Sequence, residues 1–201
     1  MRKWVCCVLG LMLAGTISAQ FKVDIDGITD YTTGKSYIVR EFPGKTAGEL
    51  YDACASVLTM KMHTSDLNFD GSLDKMITFT QYLPDRIFAF RSLGTNFYMN
   101  IDFSVNMRFA DGKVRVDSPL IREMYYTNKE QLSDGRIKTV FNYYFVTAED
   151  AERSSEGGTS IYDKRGRLKH DAIRESLEDF LNSYIDGILA NMDAQLNPDQ
   201  W

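Results

Sequence analysis

The 201-residue chain holds 23 basic and 28 acidic residues and is 44% hydrophobic and 12% aromatic, which excludes a disordered or fibrous protein and is enough for one domain with a real core. The acidic balance, with no stretch of lysine and arginine interleaved with aromatics, excludes the electrostatic term that supplies most nucleic-acid binding.

Arg2 and Lys3, an apolar run from Val5 to Leu13 and small residues ending at Ala19 follow the order of a secretory signal peptide. The run is too short to cross a bilayer of about 30 Å, so the expectation is cleavage before Gln20 and export to the periplasm or beyond, with no transmembrane segment afterwards. Cys6 and Cys7 stand at the start of the run, where a lipoprotein cysteine would not. The mature chain then has 21 basic against 28 acidic residues and only Cys54, so no internal disulfide can form. Cys54 reads as a small buried apolar residue rather than a nucleophile.

Residues 20–34 are polar and weakly periodic and read as a loose leader or edge segment. One domain is expected over 35–195, with an inserted loop and strand region at about 121–160 and a tail at 196–201. Ser36 to Phe42 reads as a short strand ended by Pro43-Gly44. Thr46-Ala47-Gly48-Glu49 is a capping box, and a helix to about Met60 should bury Leu50, Cys54, Val57 and Leu58, with the stem of Lys61. Thr64 to Leu73 reads as a polar loop. Lys75–Tyr82 and Arg86–Ser92, split by Leu83-Pro84-Asp85, read as a hairpin. From Phe97 to Phe109 seven apolar residues alternate strictly with polar ones, so one face meets a core and the other meets water. Asp111-Gly112 then turns the chain into a strand starting at Val114.

Residues 121–136 are charged and turn-rich. Ile137 to Thr147 is a strand apolar on both faces, expected to be covered twice rather than partly exposed as a binding surface. Ala148 to Ser160 should be a mobile loop, and Asp171 to Met192 a helix whose Ile173, Leu177, Phe180, Leu181, Tyr184, Ile188 and Met192 lie across the sheet. The fold class is therefore α+β: a two-layer domain in which an antiparallel meander is covered by two helices.

Pro43-Gly44-Lys45-Thr46-x-x-Glu49-Leu50-Tyr51, the meander, and Ile161-Tyr162-Asp163-Lys164-x-Gly166-x-Leu168-Lys169 before the closing helix resemble an uncharacterised family of exported bacterial domains. The resemblance covers residues 35–120 and extends to the closing helix. It implies a TATA-binding-protein-like fold, with strand, helix, four strands and helix in that order, and an envelope location. It implies no activity or functional residue, and fold analogy carries nothing about DNA.

His63 and His170 stand at helix ends, and no HExxH, CxxC, G-x-S-x-G, P-loop or dinucleotide fingerprint occurs. One stretch matches calcium chemistry: Asp66, Asn68, Asp70 and Asp74 occupy positions 1, 3, 5 and 9 of an EF-hand-type loop with Gly71 at the bend. Ile77 stands where the bidentate glutamate belongs, so only weak calcium binding is expected against a plain connecting loop, and no other cofactor. Tyr125, Tyr126, Tyr143 and Tyr144 are candidates for a ligand or partner surface. The expected function is a non-enzymatic binding or accessory protein of the envelope that engages a ligand or protein partner. The alternatives are a carboxylate-based hydrolase and a protein that self-assembles through the strand at 137–147.

Overall fold

The structure is a computed structural model and describes residues 20–62, 67–69, 76–154 and 157–198, with 67–69 described by their backbone. The expected signal segment at 1–19, His63, Asp66, Asp70 and Asp74, and the tail end at 199–201 lie outside the described residues.

The alternating run forms the centre of the sheet as strand β6, Thr95–Ala110. Met99, Ile101, Phe103, Val105, Met107 and Phe109 are buried, while the intervening polar residues take the opposite face, as a period of two requires. The buried face meets helices α1, Ala47–Lys61, and α3, Asp171–Leu196. In α1 the capping box is formed: Thr46 Oγ1 accepts from the Glu49 N–H at 3.3 Å and Glu49 Oε2 from the Thr46 N–H at 2.8 Å. Leu50, Ala53, Cys54, Val57 and Leu58 are buried; Lys61 is exposed, since its ammonium stays in water. In α3 Ile185 and Leu189 join the expected stripe as buried residues, and Phe180 and Tyr184 are half-buried.

The Pro43-Gly44-Lys45-Thr46 loop ties this frame together. Gly44 has φ 78°, Asp111 accepts from the Ala47 N–H at 2.9 Å, and the Gly112 N–H donates to the Lys45 carbonyl at 2.8 Å. Lys45 Nζ donates to the Leu196 carbonyl at 2.6 Å, a cation at the negative end of the α3 dipole.

The remaining strands are β3, Tyr37–Glu41; β4, Leu67–Phe69; β5, Met76–Ser92; β7, Lys113–Asp117; β8, Leu120–Gln131; β9, Ile137–Phe145; and β10, Thr159–Ser160. The sheet runs β10-β9-β8-β6-β5-β4, with β7 also on β6 and β3 on β7, and all pairs are antiparallel except β10 with β9. The architecture is α+β, an antiparallel sheet with α1 and α3 on one face.

Several local readings change. The hairpin expected at Leu83-Pro84-Asp85 is a bulge inside β5: both halves pair with the single strand β6, and the register slips between Leu83 and Ile87. Pro84 has no N–H for the ladder and Asp85 has φ 53°, so three residues loop out and the strand resumes. The actual turn is Leu93-Gly94, at φ 48° and 83°. The polar loop at 64–73 contains β4, paired with Ile77–Phe79.

Residues 20–34, expected as a loose leader or an edge segment, contain a hairpin of β1, Phe21–Asp24, and β2, Gly27–Asp30. Phe21 and Val23 are 2% exposed because α3 satisfies the outer edge of β1. Asn182 exchanges two hydrogen bonds with the Phe21 backbone, at 2.7 and 2.9 Å, and Glu178 accepts from the Val23 N–H at 2.7 Å. The Ile161–Lys169 stretch anchors the same hairpin, since Tyr162 Oη donates to the Val23 carbonyl at 2.7 Å. Asp163, held down at about 2 by hydrogen bonds from the Arg167 backbone and side chain, closes the turn between Tyr162 and Leu168.

The charged stretch 121–136 is mostly strand β8, and the supposed mobile loop at 148–160 contains helix α2, Ala148–Arg153, and β10. Thr147 caps α2 by accepting from the Asp150 N–H at 3.1 Å. The strand expected to be covered on both faces has no buried residue between Ile137 and Phe145, so it is partly exposed.

Candidate functional site: the cleft between two parting strands

One edge of β6 serves two successive strands, β8 at Asn100–Ser104 and β7 at Met107–Ala110. Between them Ser118-Pro119 bends the chain. The Ser118 N–H donates to the Ser36 carbonyl at 2.9 Å and its hydroxyl to the Ile28 carbonyl at 2.6 Å, and Pro119 cannot donate to a ladder. On its other side β8 pairs with β9 only from Tyr125↔Tyr143 outward. Inward of that pair β9 follows β10 instead, through Tyr144↔Thr159 and Phe145↔Ser160. A Cβ on Gly158 would lie 2.6 Å from the Phe145 ring and 2.7 Å from the Tyr143 carbonyl, so glycine there permits the close approach.

The two strands therefore part, and the wedge between them is a cleft of about 620 Å³. Its walls are Pro119 to Met124 on one side and Tyr143 to Val146 on the other. The β2 turn at Gly27-Ile28 and α2, with Asp150 and Arg153, close its ends. The volume is within the range of small-ligand sites. Along Leu120–Met124 one edge of β8 bonds to β6 and the opposite edge pairs with no strand among the described residues, so N–H and C=O groups of that edge face the cleft.

A bulge sits at its rim. Asp102 pairs with Glu123 and Phe103 with Ile121, so Arg122 is the extra residue. The slip keeps Met124 buried and sets Glu123 directly across from Asp102 on the helix-free face, a like-charge pairing that costs stability. Asp102 Oδ1 is buried without a hydrogen-bond partner among the described residues. Burial raises this carboxyl above its ordinary value, against the pull of Arg122.

The four tyrosines do not form one group, because neighbours in a strand point to opposite faces. Tyr125 and Tyr143 share the helix-free face, 5.5 Å between ring centroids, with Phe141 5.4 Å from Tyr125. The Tyr125 hydroxyl lies 3.3 Å from that of Tyr82, whose own hydroxyl is pushed up to about 12 chiefly by that hydrogen bond. Tyr126 and Tyr144 lie on the helix side, 6.1 Å apart, against Phe90 and His170 respectively. Tyr143 and Tyr144 line the cleft; Tyr125 and Tyr126 follow its lining residue Met124 along β8.

No family model matches the chain, and no curated protein matches it. The chain is similar to a TBP-like protein from Parabacteroides distasonis, at 13% identity over 78% of this chain and 90% of that one, with a TM-score of 0.46. It is also similar to a DUF4468 family protein from Bacteroides ovatus, at 9% identity over 79% and 82% of the two chains, with a TM-score of 0.41.

Of the other sequence candidates, Asn68 lies in β4 and faces Thr78 in register, while its three aspartate companions are outside the described residues. Cys54 is buried, its Sγ 3.6 Å from Met107 Sδ, and burial pushes the thiol up to about 12. Such a thiol carries almost no thiolate at neutral pH. His170 precedes α3 without capping it, and burial lowers its pKa. The Asp102–Glu123 pairing and the vacant edge of β8 went unseen in the sequence. Ser133-Asp134-Gly135, with Gly135 at φ 83°, is the hairpin signal that could have revealed both flanking strands. Among the described residues no helix is long and apolar enough to cross a membrane.

Proposed function

We propose that the protein is a non-enzymatic binding or accessory module of the bacterial envelope, and that the cleft between β8 and β9 holds an extended peptide segment of a partner. The vacant main-chain edge of Leu120–Met124 inside a 620 Å³ cleft carries this reading. A row of unpaired backbone donors and acceptors is complementary to another backbone, and strand addition uses that chemistry, with side-chain pockets giving selectivity. Ile121, Met124 and Val146 supply apolar walls for alternate side chains, and Arg122, Glu123 and Asp150 supply charge. The signal-peptide order of residues 1–19 supports export, and intact mass of secreted protein starting at Gln20 tests it.

Thermal melting of the mature chain with pools of short synthetic peptides, oligosaccharides and lipids tests the ligand class, since a ligand of the folded state raises Tm. Peptides of alternating apolar and polar residues should raise it. A response to oligosaccharides alone would move the site to the Tyr125–Phe141–Tyr143 face and overturn the peptide reading.

A carboxylate-based hydrolase is the second reading, favoured by the Asp102 carboxyl, raised by burial, standing in register with the Glu123 carboxyl. Turnover of glycoside or ester substrates, lost in both Asp102→Asn and Glu123→Gln, would establish it.

A further inference from the structure

The outer edge of β9 is unoccupied along Ile137–Phe141. β10 pairs only with Tyr144 and Phe145, and among the described residues no strand covers the five before Asn142. Edge strands are usually guarded by proline, bulges or charge. This one has no proline and no bulge, and its one lysine, Lys138, stands in register with Glu130 of the same arm, which offsets the charge. The edge exposes Ile137 at 70% and Phe141 at 50%.

The outward direction of the backbone follows from the hairpin turn. Leu132 N–H donates to the Arg136 carbonyl and Gly135 N–H to the Leu132 carbonyl, at 2.8 and 2.9 Å. Counting from that closed pair in an antiparallel ladder, Lys138, Val140 and Asn142 bond toward β8, and Ile137, Thr139 and Phe141 direct their N–H and C=O outward.

We propose that the occupant of this edge is a second copy of the chain, paired antiparallel about a two-fold axis through Thr139. In that register Thr139 meets Thr139 of the other copy, Ile137 meets its Phe141, and Lys138 meets its Val140. Outward groups pair with outward groups, giving about six main-chain hydrogen bonds. No like charges oppose, and the aromatic–aliphatic and Thr–Thr pairs are favourable ones. A two-fold interface must be self-complementary, and this register is. The two helix-free faces become one surface, and the Tyr125–Phe141–Tyr143 groups of both copies lie side by side. The cleft at the far end of β9 stays open in each copy, so this dimer does not depend on the peptide reading. The contact is short, which places it among weak, concentration-dependent interfaces.

Sedimentation equilibrium of the mature chain up to the high micromolar range tests it. The wild type should show a monomer–dimer equilibrium. Thr139→Glu and Thr139→Lys, each placing like charges across the axis, should be monomeric, with unchanged circular dichroism because Thr139 is exposed. Mixed in equal amounts, the two variants should dimerise again. A wild type monomeric throughout, a dimer that Thr139→Glu leaves intact, or variants that stay monomeric when mixed would each overturn the proposal.

Discussion

Truncating Phe103 measures how the helix layer is held on the sheet. The ring is 0% exposed and meets two rings of α3 edge-on, Phe180 at 5.6 Å and Tyr184 at 5.3 Å between centroids, with interplanar angles of 89° and 87°. Phe→Ala in a core costs about 3–5 kcal/mol, and each edge-to-face pair adds about 0.5–1.5 kcal/mol beyond area burial, so Phe103→Ala belongs near the top of that range. That is a large part of the roughly 5–15 kcal/mol available to a domain. Phe103→Leu keeps most of the apolar transfer and loses the ring pairs, for a cost of about 1–2 kcal/mol. Asn106, three residues on and on the opposite face, accepts from the Thr78 hydroxyl at 2.8 Å; Asn106→Asp keeps an acceptor there and should stay within about 0.5 kcal/mol. Urea unfolding followed by circular dichroism gives all three values. Equal losses in Phe103→Ala and Asn106→Asp would refute the assignment of faces, and Phe103→Leu as damaging as Phe103→Ala would refute the role of the rings.

Asp102→Asn should stabilise the protein at neutral pH by about 1 kcal/mol, since it removes a half-buried charge with one buried, unpaired oxygen. Because the folded-state pKa is raised, the wild type should lose stability as pH rises from the ordinary carboxylate range through that higher value, and the variant should not; melting curves against pH check this. His170 has the opposite sign: its folded pKa is lowered, so its contribution is present above about 6.5 and lost as pH falls through the folded value. An NMR titration should place His170 below that ordinary value, and His170→Gln should flatten the acid side of the stability curve. The Asp66, Asn68, Asp70 and Asp74 stretch is proposed to take calcium near the millimolar range. Chelator-treated protein should melt higher with about ten millimolar calcium and Asp70→Ala should not; no rise would leave a plain connecting loop.

The elements legible in the sequence are those with strict periodicity and local chemistry. β6, the Thr46–Glu49 cap and the α3 stripe follow from alternation, capping and a period of 3.6 in one segment each. What escaped depends on a distant partner. β5 reads as two strands because Pro84 looks like a turn, and only the length of β6 across from it makes one strand of both halves. Phe21 and Val23 are too few to announce a strand, and their burial comes from Asn182 and Glu178, more than 150 positions away. β8 lost its alternation to one extra residue, Arg122, so its apolar positions fell out of phase. The same bulge set Glu123 against Asp102, so the rim of the cleft was hidden for the same reason as the strand. Tyr125, Tyr126, Tyr143 and Tyr144 were visible as a composition, but their division between two faces needed the register.

Residue-resolved hydrogen exchange along β8 tests most directly whether the cleft offers a vacant strand edge. In the free protein the amides of Ile121–Met124 that face the cleft should exchange far faster than those of β8 paired with β9, such as Asn128, although both belong to one strand. A peptide that raises Tm should slow those amides selectively. Cleft amides already as protected as Asn128 without ligand, or a bound peptide that leaves them fast, would contradict the account.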